Sequence, residues 1–141
     1  MKDRIFLYGA WCVAIIAMLG SLFFSEVMHL PPCILCWYQR ICMYPLVLIL
    51  GVGIYTRDKH IVSYVLPLSI LGMGIALYHN LLYYGFIPES LAPCRAGISC
   101  TTKLIEWWGF VTIPFLSFVA FGLITTAMFL VLKQSKGNNH A

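Results

Sequence analysis

The chain has 141 residues, of which 61% are hydrophobic and 10% charged, against roughly 45 to 50% apolar content in an ordinary soluble domain. A water-soluble fold of this size has too little interior to hide so much apolar surface, so lipid is the expected solvent. The formal net charge of +4 is accounted for by Lys and Arg at helix ends, and no basic patch for nucleic acid is expected.

Four apolar runs, each near the roughly 20 residues an α-helix needs to cross a bilayer, predict an all-α, integral membrane four-helix bundle forming one domain over residues 1–141. The first run covers about residues 5–24. It exceeds the roughly 7 to 15 apolar residues of a signal peptide, and residues 21–26 lack an Ala-x-Ala site, so a retained helix is expected. An outer loop over about residues 25–37 ends in Pro31-Pro32-Cys33-Ile34-Leu35-Cys36 and leads into a second run, about 38–55, containing Pro45, Gly51 and Gly53. The third run, about 61–84, contains Pro67 and carries His79 near its outer end. A second outer loop, about 85–109, holds Cys94 and Cys100, and the fourth run, about 110–132, contains Pro114. Prolines inside membrane helices are expected to kink them, because neighbouring helices satisfy the released backbone groups.

Orientation follows from Lys and Arg, which stay on the cytoplasmic side when they flank a span. Lys2, Arg4, Arg57, Lys59, Lys133 and Lys136 fall on one side, while the other carries only Arg95 and Lys103, with Arg40 near its boundary. Both termini are therefore expected in the cytoplasm and both cysteine-bearing loops outside it, in a multi-pass protein of the bacterial cytoplasmic membrane. Trp107, Trp108, Tyr83 and Tyr84 suit the outer interface, where amphipathic rings settle.

The six cysteines need a reason, since a membrane bundle does not require disulfides to compensate for a small core. Cys33 and Cys36, three apart in the opening turn of the second helix, share a face and can form a disulfide, and the partial positive charge of the helix start favours a thiolate there. Arg40, four residues after Cys36 and seven after Cys33, belongs to the same face. Other readings compete. A Cys-x-x-Cys can be half of a zinc site, although Arg95 beside Cys94 is a poor neighbour for a dication. Both pairs can be inert structural disulfides, and Arg40 can merely snorkel to the interface. The membrane setting favours redox chemistry, because a disulfide beside a lipid-accessible groove has an electron acceptor within reach. The loop bearing Cys94 and Cys100, with Pro88, Pro93 and Gly97, is expected to be mobile, as a shuttling disulfide requires. Cys12 and Cys42 lie inside helices and read as small buried hydrophobes. His79 is an intramembrane functional candidate, or a histidine satisfied by a neighbouring helix.

The run Cys33-Ile34-Leu35-Cys36-Trp37-Tyr38-Gln39-Arg40 resembles the DsbB family of quinone-dependent disulfide-bond formation proteins, closest to its BdbC-type members in Gram-positive bacteria. The likeness extends over four helices, a Cys-x-x-Cys after the first and a second pair between the third and fourth. It implies a membrane thiol:quinone oxidoreductase that reoxidises a soluble thioredoxin-fold thiol oxidase of the DsbA or BdbD kind and passes the electrons to menaquinone or ubiquinone. It also implies roles: Cys33 and Cys36 form the quinone-coupled pair, Cys94 meets the soluble partner with Cys100 as its companion, and Arg40 and His79 belong to the quinone site. No metal is implied. The second pair is six positions apart, much closer than in the enterobacterial form. An enzyme like the vitamin K epoxide reductases is the nearest alternative, but there the Cys-x-x-Cys lies on the last helix. A metal-binding membrane protein is the alternative from another class.

Overall fold

The computed structural model describes residues 2–27, 34–86, 106–107 and 111–139. Cys33, Cys94, Cys100 and most of the two outer loops lie outside the described residues. Helix α1 spans Lys2–Leu22 and runs into a π-helical turn, Phe23–Val27. Helices α2 (Ile34–Thr56), α3 (Ile61–Tyr83) and α4 (Ile113–Asn139) complete the bundle. All four are long and apolar enough to cross a membrane. The shortest apolar span has 22 residues, about 33 Å of helix against a hydrocarbon core of about 30 Å.

Each helix packs on two others, α1 on α2 and α4, and α3 on α2 and α4. The packing closes a ring. Its centre is filled by small side chains of α1, Ala10 and Ala14, facing larger ones such as Leu46 and Leu50 of α2 and Phe121 and Ile124 of α4. Residues such as Ile5, Leu48 and Val52 are exposed on the outside, as lipid-facing helices require, since apolar groups there displace no water. Polar fasteners join the helices: Trp11 Nε1 donates to the Val47 carbonyl at 3.1 Å, and Thr125 Oγ1 bonds Ser69 Oγ at 3.1 Å between α3 and α4. At Gly72 of α3 a Cβ would overlap the Phe121 ring, so this position has to be glycine for α4 to come so close.

The α2–α3 turn is tight. Arg57 takes a left-handed conformation, φ 55°; its N–H donates to the Ile54 carbonyl and that of Asp58 to the Gly53 carbonyl at 3.0 Å, which together close the helix end as a Schellman motif. Asp58 Oδ1 then accepts from the His60 N–H at 2.8 Å. At the other end of the bundle the Asn80 side-chain amide donates to the Pro114 carbonyl at 3.0 Å, tying α3 to the first turn of α4.

Some boundaries differ from the apolar runs. Helix α2 starts at Ile34, which places Cys36 in its first turn, because the cysteines and Leu35 are as compatible with helix as the run that follows. Helix α4 starts at Ile113 and continues to Asn139, past the apolar run, since Lys133, Gln134 and Lys136 propagate a helix once it has left the lipid. Two unexpected short strands, β1 (Glu106–Trp107) and β2 (Val111–Thr112), pair antiparallel just before α4. Cys42 is buried as expected, but Cys12 is exposed. It lies between Ala10 and Ala14, the buried positions of α1, and two residues of helix turn a side chain about 200° away from them.

Candidate functional site

Positions 36, 39, 40, 43 and 44 of α2 recur at helical spacing, so Cys36, Gln39, Arg40, Met43 and Tyr44 form one stripe, about 12 Å long at 1.5 Å per residue. All five line a cavity of about 410 Å³. Its other walls come from α1 (Val13, Ile16, Ala17, Gly20) and α4 (Leu116, Val119, Phe121, Leu123). Ile16 and Leu123 are 69% and 53% exposed, so the cavity opens sideways between α1 and α4, on the lipid-facing flank. The walls are almost wholly apolar, and polar groups gather toward the α2 side and the end where α2 begins.

The guanidinium of Arg40 is held firmly. Nε donates to Ser21 Oγ at 2.7 Å, and NH2 donates to the Ser21 carbonyl at 2.9 Å. The Trp37 ring lies under it, 5.3 Å from centroid to Cζ, within cation–π range. Cys36, half-buried one turn earlier, looks into the same space. A thiol and a fixed cation therefore share one wall of a mainly apolar cavity, where a charge acts more strongly than in water.

His79 is 2% exposed and is not among the lining residues. The Gln39 side-chain amide nitrogen donates to His79 Nδ1 at 3.1 Å, so α3 contributes its histidine to the cavity through Gln39. With Nδ1 accepting, a neutral ring carries its proton on Nε2. Tyr44 Oη is enclosed and has no hydrogen-bond partner among the described residues, an arrangement that costs roughly 1 to 3 kcal/mol unless an acceptor is supplied. Among the described residues no group of three or more His, Cys, Asp or Glu side chains comes together as a metal site would need.

Of the residues singled out from the sequence, Cys36 and Arg40 meet at the cavity and His79 stands one residue behind it. Cys33, Cys94 and Cys100 lie outside the described residues. Ser21, Gln39 and Tyr44 escaped the sequence reading. For Gln39 and Tyr44 a signal existed, since they sit three and eight residues after Cys36 and share its face. Chemically, the cavity can take a flat, mainly apolar molecule bearing acceptor oxygens and place it against a thiol.

Comparison with known proteins shows the family. The family model described as disulfide bond formation protein DsbB matches residues 3–131. The chain is 52% identical over 134 residues to disulfide bond formation protein C of Bacillus subtilis, covering 93% of this chain and 96% of that protein. It is 47% identical over 127 residues to a probable disulfide formation protein C of Halalkalibacterium halodurans, covering 89% and 92%. Identity to a probable disulfide formation protein of Deinococcus radiodurans is 46% over 127 residues, covering 84% and 82%. No solved structure matches the chain.

Proposed function

The chain belongs to the DsbB family of disulfide bond formation proteins, and from that premise we propose that this four-span membrane disulfide oxidoreductase takes electrons from a soluble thioredoxin-fold thiol oxidase and delivers them to a membrane quinone. The observation that carries the quinone reading is the placement of Cys36 and Arg40 on one wall of an apolar cavity open to lipid. The residues present fit such a head group. The volume falls within the range of small-ligand sites, the walls suit an isoprenoid-bearing ring, and Arg40 and Gln39 offer donors to its oxygens.

The thiol chemistry runs as successive exchanges. A thiolate of the reduced partner attacks Cys94 of the Cys94–Cys100 disulfide and releases Cys100. Cys100 attacks Cys33 of the Cys33–Cys36 disulfide, and Cys36 leaves as a thiolate facing the cavity. The partner's second thiol displaces Cys94 and departs as a disulfide. Cys94 then attacks Cys100, which restores the outer disulfide and releases Cys33. A bound quinone supplies the acceptor for the two electrons and two protons given up as Cys33 and Cys36 rejoin. Arg40 stabilises negative charge on the Cys36 sulfur and on the acceptor oxygen. Gln39, held by its hydrogen bond to His79, keeps a hydrogen-bonding group at the cavity wall. The apolar walls keep water away from the thiolate.

The Lys and Arg distribution supports both termini and the Arg57–Lys59 turn in the cytoplasm, with the cysteine loops outside. A single membrane domain accounts for the whole chain. The test is turnover of purified protein in liposomes with a reduced thioredoxin-fold partner and added quinone, following partner thiols and quinol together. One quinol per partner disulfide is expected. Partner oxidation at the same rate without quinone would overturn the proposal.

A further inference from the structure

The Arg40 side chain is placed by a residue that nothing in the Cys-x-x-Cys-x-x-x-Arg run contains. A guanidinium is planar, and its five N–H donors lie on fixed edges: Nε–H beside one NH2 hydrogen on one edge, NH1 and NH2 hydrogens together on the other. Ser21 takes the first edge completely, its hydroxyl accepting from Nε at 2.7 Å and its carbonyl from NH2 at 2.9 Å. Trp37 covers one face of the group. Since both Arg40 and Ser21 line the cavity, the NH1/NH2 edge is the one left for an occupant. The backbone explains how one residue offers two acceptors. Ser21 lies two positions before the π-helical turn Phe23–Val27, where the hydrogen-bond ladder changes from i+4 to i+5 and the helix widens. A carbonyl oxygen also has a second lone pair to give. The neighbouring Gly20 and Ala17, which line the same cavity, keep this stretch of α1 slim.

We infer that Ser21 is a positioning residue for quinone reduction: its two oxygens pin one edge of Arg40, so that the opposite edge is aimed at an acceptor oxygen in the cavity. This rests on the quinone reading above. Ser21 touches neither thiol nor quinone in this role and acts only through Arg40. Loss of the hydroxyl leaves the guanidinium on a single remaining acceptor, free to swing about it, whereas threonine keeps an oxygen at the same place.

The experiment measures quinone KM and kcat in liposomes for wild type, Ser21→Ala, Ser21→Thr, Arg40→Met and the Ser21→Ala/Arg40→Met double variant. Single-turnover exchange with the partner is followed in parallel without quinone. Ser21→Ala should lower kcat/KM for quinone about tenfold, mainly through KM, and leave unchanged the partner's first attack on the Cys94–Cys100 disulfide, which precedes the release of Cys36. Ser21→Thr should stay within about twofold of wild type. In the Arg40→Met background Ser21→Ala should have no further effect. Equal kinetics for Ser21→Ala and wild type would overturn the inference. So would a Ser21→Thr as impaired as the alanine variant, or a full additional loss in the double variant, which would mark Ser21 as a packing residue. A wild type with no quinone dependence at all would instead bring down the functional reading itself.

Discussion

Replacing Arg40 with methionine is the sharpest test of how the cavity works. Methionine keeps much of the apolar stem and so preserves the packing between α1 and α2, while the charge and all five donors disappear. A unit charge about 4 Å from a developing negative oxygen is worth about 4 kcal/mol at an effective dielectric of about 20. Arg40 is half-buried, so screening lowers that figure, and a hydrogen bond to a charged group, about 1.5 to 3 kcal/mol, sets a realistic scale. At about 1.4 kcal/mol per factor of ten, kcat/KM for quinone should fall about 10- to 100-fold. Arg40→Lys should fall between the two. It keeps the charge, but a single ammonium cannot span the two Ser21 oxygens and still present a planar edge to the cavity. The assay is quinol formation in liposomes at several quinone concentrations, with thermal unfolding in detergent as the check on folding. If Arg40→Met matches wild type in quinone kinetics, Arg40 is an interfacial snorkelling residue, and the electron acceptor must be sought around Gln39 and His79.

Three further predictions follow from other parts of the molecule. Gly72→Ala should lower stability by about 1 to 3 kcal/mol, read as a lower unfolding temperature. The new methyl would meet the Phe121 ring, and an unchanged unfolding temperature would show that α3 and α4 can separate freely. Cys100→Ala should accumulate a mixed disulfide between Cys94 and the partner, visible on non-reducing gels; accumulation in Cys94→Ala instead would exchange the two roles. Cys94 and Cys100 should react with a membrane-impermeant maleimide in intact, reduced cells, and reaction only after lysis would invert the orientation.

The spans were legible because a bilayer imposes a length and a composition that few other environments require. So was the alignment of Cys36 with Arg40, since i and i+4 on a helix are neighbours whatever surrounds them. What could not be read lies between helices. Ser21 and Arg40 are 19 residues apart and Gln39 and His79 are 40 apart. Nothing in an apolar helix says which face meets which neighbour, because lipid and protein interior ask for the same side chains. Cys12 illustrates this: one face of α1 is as hydrophobic as the other, and only Ala10 and Ala14, small enough for close approach, mark the buried edge. The Schellman end at Arg57 was hidden for a different reason, since it uses arginine where glycine is the usual signal.

The sideways opening between α1 and α4 has a kinetic consequence. Under the proposed function, one reactant arrives from water at the end of the bundle where α2 begins, and the other by diffusion within the plane of the bilayer. The two do not compete for a doorway, so a waiting oxidant can be in place before the thiol donor docks. Its supply is then set by the composition and fluidity of the surrounding lipid, and not by anything dissolved on either side of the membrane.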